Sequence, residues 1–328
     1  MPTHVERITS LQSKTWSGSL ALEIRLAASD CRTYNESEPY LIQYPRLSYV
    51  AFLLPRLHAF FAASLINPEV PAHEAWLSFE DVPLKWHYPL GLLYDLLSGA
   101  EPVDLERSRR EEQLSASQAT AGASHGAVPI PWRLTIHYTD FPGDQLIQLD
   151  GAGRAMLDSF INGVKEADFI RNGSARTVMS LSKDDSDKLW LAVQTHDMSL
   201  FNTINTKLLN PPGLSLRHIP IKIYLPTSAT QPSASEPITE ETSAGHSAGH
   251  IRVVQSLVPL HLPSKQPQTL GTALNDILPT IFPSRRNPLL AQPVLHGAAV
   301  PMGAVMEDLS RAAAYTDGFL HVVVVMLG

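Results

Sequence analysis

The run FLHVVVVML, Phe319 to Leu327, places apolar side chains on almost every consecutive position. Successive side chains of a strand point to opposite faces, so such a run is stable only where both faces are covered, as in the central strand of a sheet packed by helix. The residues before it supply the rest of a domain. RHIPIKIYLP alternates Ile219, Ile221, Ile223 and Leu225, the period of a strand, and IRVVQSLVPL reads as the strand returning beside it. TLGTALNDILPTIF sets Leu270, Leu274, Ile277 and Leu278 on one helical face behind Thr269 as cap. PVLHGAAV reads as a strand and EDLSRAAAY as a short helix or turn. Strand, strand, helix, strand, short helix, strand is the order of a ubiquitin-like β-grasp.

The first 140 residues admit the same reading. An N-terminal helix or arm precedes Trp16 to Ala27, a half-buried strand with Leu20, Leu22, Ile24 and Leu26 on one face. PYLIQYPRLSYV is extended and broken by Pro45; Val50 to Ile66 has helical spacing; AWLSFEDVPLKW is a short strand and turn; YPLGLLYDLL is a short helix entered through Pro89. Trp132 to Thr139 alternates again and closes the unit. Residues 101–128 and 227–250 carry no periodic apolar pattern and read as disordered insertions. Each sheet is expected to hold its last strand inside, with one main helix across it.

Between the two units the chain has no strand-like run. GRAMLDSFINGVKEADFIRNG puts Met156, Leu157, Phe160, Ile161, Val164, Ala167 and Ile170 on one arc at the helical period. Lys165 lies just past that arc, where its stem can rest on apolar surface while the amine stays in water. Two further helices follow, behind Ser182 and Asp197 as caps, and Pro211-Pro212 ends the region. Most helix lysines so placed are solvated surface residues.

Composition narrows the functional classes. The net charge of -7 and pI near 6.0 argue against a surface devoted to nucleic acid. Charged residues are 17% of the chain, fewer than usual, which leaves neutral surface for partners. The lone Cys31 cannot form an internal disulfide and sits in a polar stretch with little to activate it. The thirteen histidines form no ligand pair, no phosphate or dinucleotide loop is present, and no nucleophile has a partner base, so neither metal, cofactor nor catalysis by this chain is expected. Trp86, His87 and Tyr88 read as a packing corner or a partner surface. The apolar stretch near residue 50 is interrupted by Pro55, Arg56 and His58, so no segment is expected to span a bilayer, and without a leader-like N-terminus a cytoplasmic location is expected.

In their order, PYLIQYPRLSYV, VPLKWHYPLGLLYDLL, SFINGVKEADFIR, LWLAVQTHDMSLFNTINTKLL, RHIPIKIYLP and FLHVVVVML resemble the autophagy protein 5 family over nearly the whole chain outside the insertions. The resemblance implies an α+β fold of two ubiquitin-like domains, 1–140 and 214–328, flanking a helix-rich domain, 141–213. It implies that the ubiquitin-like autophagy protein 12 is joined through an isopeptide bond to one lysine, and Lys165 is the one in the family's Lys-Glu-Ala-Asp pattern. Glu166 and Asp168 are then carboxylates placed to steer a basic enzyme surface. The competing lysines are weaker candidates: Lys183 and Lys188 lie among Asp184, Asp185 and Asp187, Lys85 stands in an aromatic turn, and Lys265 in a Pro-rich loop. The thioester chemistry belongs to the pathway's conjugating enzymes. The conjugate is expected to promote lipidation of autophagy protein 8 on phosphatidylethanolamine at the preautophagosomal membrane, where it associates peripherally. A helix of the coiled-coil autophagy protein 16 is expected in a groove where the domains meet, with Arg46 and Gly91 nearby; for Gly91 a simple turn role is the competing reading. An unmodified adaptor using its ubiquitin-like domains as binding modules is the alternative, separated from a conjugate by a denaturing gel.

Overall fold

The structure is a computed structural model that describes residues 3–33, 37–98, 131–210, 216–226 and 251–327. The insertions expected at 101–128 and 227–250 lie outside them. Helix α1 (His4–Ser17) opens the chain through a capping box, Thr3 Oγ1 accepting from Glu6 N and Glu6 Oε2 from Thr3 N. It runs through Trp16 and Ser17, which the alternation had assigned to the first strand. The indole explains the difference: Trp16 stacks on His196 at 4.9 Å, packs on Phe201 at 5.0 Å and donates Nε1 to His196 O at 3.0 Å.

β1 (Ser19–Leu26), β2 (Tyr40–Pro45), β3 (Trp76–Phe79), β4 (Val82–Pro83) and β5 (Trp132–His137) form a five-stranded sheet in the order β2-β1-β5-β3-β4. β1 and β5 run parallel at its centre, with Leu22 opposite Trp132. α2 (Leu54–Phe61), lengthened by 3₁₀ turns at Val50–Leu53 and Ala62–Ser64, joins β2 to β3, and α3 (Leu90–Leu97) stands between β4 and β5. Leu22, Ile24, Leu57, Phe61, Leu134 and Ile136 fill the core between sheet and α2.

The middle region is helical throughout: α4 (Arg154–Asn172), α5 (Arg176–Met179), α6 (Lys183–Thr195) and α7 (Met198–Leu209). α5 is one helix more than the periodicity shows, and at four residues it is too short to leave a period. Ser182 and Asp197 cap α6 and α7 through Asp185 N and Leu200 N. This region shares the first sheet's core, with Trp190 between Phe52 and Phe160 at 5.5 Å from each ring.

β6 (His218–Pro226), β7 (Ile251–Pro259), β8 (Ala291–Leu295), β9 (Ala298–Ala299) and β10 (Leu320–Met326) repeat the first sheet's plan, ordered β7-β6-β10-β8-β9, with α8 (Leu270–Ile277) and α9 (Met306–Ala313) in the places of α2 and α3. PVLHGAAV is a hairpin rather than one strand. His296 and Gly297 adopt φ of 53° and 79°, the two positive values that a two-residue primed turn requires. β10 lies inside the sheet and is buried from Leu320 to Val324, as its two apolar faces demand. The core of this unit takes in Leu47 and Leu92 from the first domain, and Trp16, Tyr88 and Leu96 pack against it.

Candidate functional site

α4 is held at both ends and along one side. Its first free amides are satisfied by Asp150, which accepts from Ala155 N at 2.8 Å and Arg154 N at 3.1 Å; these amides, Ala155 first, hold the carboxyl below the usual range. The last turn closes through Gly173 N to Phe169 O at 2.8 Å. Met156, Phe160, Val164, Ala167 and Ile170 are buried along the predicted arc, with Leu157 and Ile161 half-buried at its edge.

Lys165 is half-buried on the opposite margin, and its amine has no hydrogen bond or ion pair among the described residues. The other lysines differ from it. Lys188, Lys207 and Lys222 pair with Asp184, Asp185 and Glu166 at 2.5, 2.8 and 2.8 Å, and Lys85 lies 5.8 Å over the Tyr88 ring. Lys14, Lys183 and Lys265 are exposed, Lys265 on a left-handed loop residue. Lys165 therefore combines a braced stem with an unengaged amine on a rigid helix.

The flanking carboxylates do not face outward as a steering pair. Asp168 is fully buried, accepting from Asn172 Nδ2 at 2.6 Å and from Val178 N at 3.0 Å, and so ties α4 to α5. Glu166 is exposed but bonded to Lys222 Nζ and to Gln255 Nε2 at 2.8 and 3.0 Å. The sequence signal for Asp168 is Asn172, one turn on, which has no partner on the solvent side of the wheel.

Arg46 and Gly91 are brought together. Gly91 N donates to Arg46 O at 2.7 Å and Arg46 Nη2 donates to Gly91 O at 3.1 Å. A Cβ on Gly91 would stand 2.8 Å from Arg46 Cβ and 3.0 Å from its carbonyl oxygen, so glycine here answers a close approach within the chain. Arg46 Nη2 also meets Asp95 Oδ1 at 2.5 Å, and the other oxygen of Asp95 accepts from Gly297 N at 2.8 Å. Burial pushes the Asp95 carboxyl up against the pull of Arg46. Asp95 and Gly297 escape a sequence reading, although Asp95 is the one charge in the apolar run LGLLYDLL.

This clamp underlies a shallow cleft of about 30 Å³ between α1, α7 and α9, where all three regions meet. Trp16, Leu47, Met198, Asn205, Ser310 and Tyr315 are among its walls. Leu47 follows Arg46, and Tyr315 stacks on His296 at 4.2 Å beside Gly297. A second and larger cleft of about 590 Å³ lies between His87, Asn162, Glu166, Lys222 and His321, with Tyr224 OH, His321 and Asp317 joined by hydrogen bonds of 2.8 Å. Trp86 is buried and donates Nε1 to Ile147 O, while His87 faces this cleft. Among the described residues no cluster of His, Cys, Asp and Glu could hold a metal ion, and no helix is long and apolar enough to cross a membrane.

Comparison with known proteins gives three consecutive family matches. "Autophagy protein ATG5, UblA domain" covers residues 15–138, "Autophagy protein ATG5, alpha-helical bundle region" 153–211, and "Autophagy protein ATG5, UblB domain" 218–324. The chain is 53% identical to autophagy protein 5 of Phaeosphaeria nodorum over 323 residues, covering 98% of this chain and 99% of that one. It is 47% identical to autophagy protein 5 of Aspergillus fumigatus over 321 residues, with 98% and 96% covered. The solved structure of Kluyveromyces marxianus Atg5 superposes with a TM-score of 0.68 at 20% identity, covering 96% of this chain and 98% of that one, and shares the fold.

Proposed function

The chain belongs to the autophagy protein 5 family, and from that premise we propose that it is a non-catalytic autophagy scaffold whose Lys165 accepts the ubiquitin-like autophagy protein 12. The observation that carries this reading is the state of Lys165: unpaired, half-buried at its stem, and fixed on a helix anchored at both ends. In the step itself the Lys165 Nζ attacks the thioester carbonyl carbon at the modifier's C-terminal glycine. The C–N isopeptide bond forms, the enzyme's thiolate leaves, and the amine's proton passes to a base on the conjugating enzyme. A helix fixes where the amine starts, so only the side chain remains to be ordered.

The cleft between α1, α7 and α9 supports a helical partner, in keeping with the coiled-coil autophagy protein 16. Its mouth joins apolar Trp16 and Met198 to polar Gln12 and Asn205, a mixed surface across which an amphipathic helix can lie. Arg46 and Gly91 act on that cleft from beneath, by setting the positions of Leu47 and Tyr315, and do not themselves reach a partner. With both partners attached, the scaffold stimulates lipidation of autophagy protein 8 as a peripheral component at the membrane.

The test is reconstituted conjugation with purified enzymes and Lys165→Arg, which keeps the charge and cannot form the isopeptide. Conjugate should vanish from the denaturing gel. Conjugate persisting at wild-type yield and mapping by mass spectrometry to another lysine rejects Lys165 as acceptor, and absence of any conjugate on the wild-type chain favours the unmodified adaptor.

A further inference from the structure

A sheet keeps unpaired backbone donors and acceptors along its edge strands. The two sheets here have four edges, β2, β4, β7 and β9. β4 and β9 are two residues long, and β2 is six residues long and ends in Pro45, which has no amide to donate. β7 is different. It pairs residue for residue with β6 from Ile251 to Pro259, with no bulge and no proline before its last position. Its nine residues, at about 3.4 Å each, leave roughly 30 Å of backbone facing away from β6. None of that backbone bonds to any backbone group outside β6 among the described residues.

The edge is also uncovered and nearly uncharged. Ile251, Val253 and Leu257 retain 38%, 42% and 59% of their surface, and Arg252 is the strand's one charge. Gln255, Ser256 and Leu257 together line a hollow of about 530 Å³. Successive strand residues point to opposite faces, so a space touched by all three runs along the edge itself. The devices that commonly guard an edge, a lysine, an internal proline, a bulge or a short strand, are all missing from β7. Its exposed row reads Ile251, Val253, Gln255, Leu257, Pro259: two apolar residues, one polar, two apolar. That order is the same in either direction.

We propose that β7 pairs antiparallel with the β7 of a second copy of this chain, about a two-fold axis at Gln255, and so joins two five-stranded sheets into one. A two-fold contact sets the same patch against itself, and an antiparallel strand opposes itself favourably when its pattern is the same read from either end, as this row is. With Gln255 opposite itself, Val253 faces Leu257 of the second copy and Leu257 faces Val253, so each exposed apolar side chain gains an apolar cross-strand neighbour. Arg252 falls opposite Val258, so no like charges meet. Gln255 donates Nε2 to Glu166 Oε1 at 3.0 Å, which holds its side chain against α4. Only an extended chain satisfies a row of backbone donors and acceptors, and the symmetry of the row selects this chain as its own partner. The inference does not depend on conjugation at Lys165.

The experiment is sedimentation equilibrium of the full chain over a concentration series. The wild-type chain should pass from monomer to dimer mass as concentration rises, and Lys165→Arg should do the same. Val253→Lys and Leu257→Glu should each weaken the dimer about tenfold, because the two-fold axis places every change in the interface twice. The two changes together bring opposite charges face to face at both crossings and should restore most of the affinity. Both side chains are exposed, so near-UV circular dichroism of the monomer should match wild type; Val253→Gln serves if the lysine disturbs the fold. A wild-type chain that stays monomeric throughout overturns the proposal and gives the edge to a strand of another protein. Dimers of wild-type strength in both single variants overturn it too, since the contact then lies elsewhere. Single variants that weaken the dimer without rescue in the double variant overturn the pairing about Gln255.

Discussion

At the scale of single residues the clearest constraint is Gly91 against Arg46. An added methyl meets backbone as well as side chain, at 3.0 Å from the Arg46 carbonyl oxygen, and backbone within a hydrogen-bonded pair cannot move aside cheaply. Gly91→Ala should therefore cost about 1–3 kcal/mol in equilibrium denaturation; wild-type stability would mean that the loop relaxes freely. His296 sets a pH limit. Its ring is packed on Tyr315 and bonded to Ala313 O at 2.8 Å, and burial, with Arg46 adding to it, lowers its pKa to about 3. The folded chain keeps it neutral while the unfolded chain protonates it below about 6.5, so its contribution is full above that pH. It is lost as pH falls toward 3, at up to about 1.4 kcal/mol per pH unit. In His296→Asn, which tolerates the same positive φ, the acid limb of the stability profile should be shallower by about one proton; an unchanged limb refutes the assignment. Lys165 stood out in the sequence because its pattern and its place at the edge of the apolar arc agreed. Asp168 was misread there because a helical wheel shows which side a residue occupies and not that the start of another helix lies against it.

At the scale of elements, strands and caps were legible where a local rule sufficed. Alternation set β1, β5 and β6, the doubly apolar run set β10, and Ser182, Asp197 and Thr269 mark helix starts by side chains that accept from the amides of Asp185, Leu200 and Thr272. What failed depended on distant contacts. Trp16 ends as helix because His196 and Phe201 receive its ring, and PVLHGAAV folds back because His296 accepts a positive φ that sequence does not forbid. α4 depends on such a contact as well. Asp168→Ala removes the acceptor for Val178 N and Asn172 Nδ2, leaving two buried donors unpaired, and should destabilise the helical region by about 2–3 kcal/mol. Hydrogen exchange should quicken in α5 and the last turn of α4. Protection there equal to wild type would show that the tie between α4 and α5 is incidental.

At the scale of the whole molecule, two sheets of identical strand order are held through a helical region that shares the first sheet's core, and specific side chains tie the second sheet to them. Leu47 and Leu92 cross into the second core, and Asp95 grips Arg46 on its own side and Gly297 on the other. Asp95 carries the argument for coupling, because it lies outside the cleft between α1, α7 and α9 while fixing two of its walls, Leu47 through Arg46 and Tyr315 through the His296–Gly297 turn. Asp95→Ala leaves the Arg46 guanidinium buried without its counter-charge, a loss of about 3–5 kcal/mol. Asn205→Arg, by contrast, fills the cleft from a half-buried helix position and should leave stability near wild type. Calorimetry with an amphipathic helix from the proposed coiled-coil partner should show both variants binding weakly, but only Asp95→Ala should also unfold early. If Asp95→Ala loses stability and binds the helix with wild-type affinity, the cleft keeps its shape without the clamp, and Arg46 and Gly91 have no part in partner binding even at one remove.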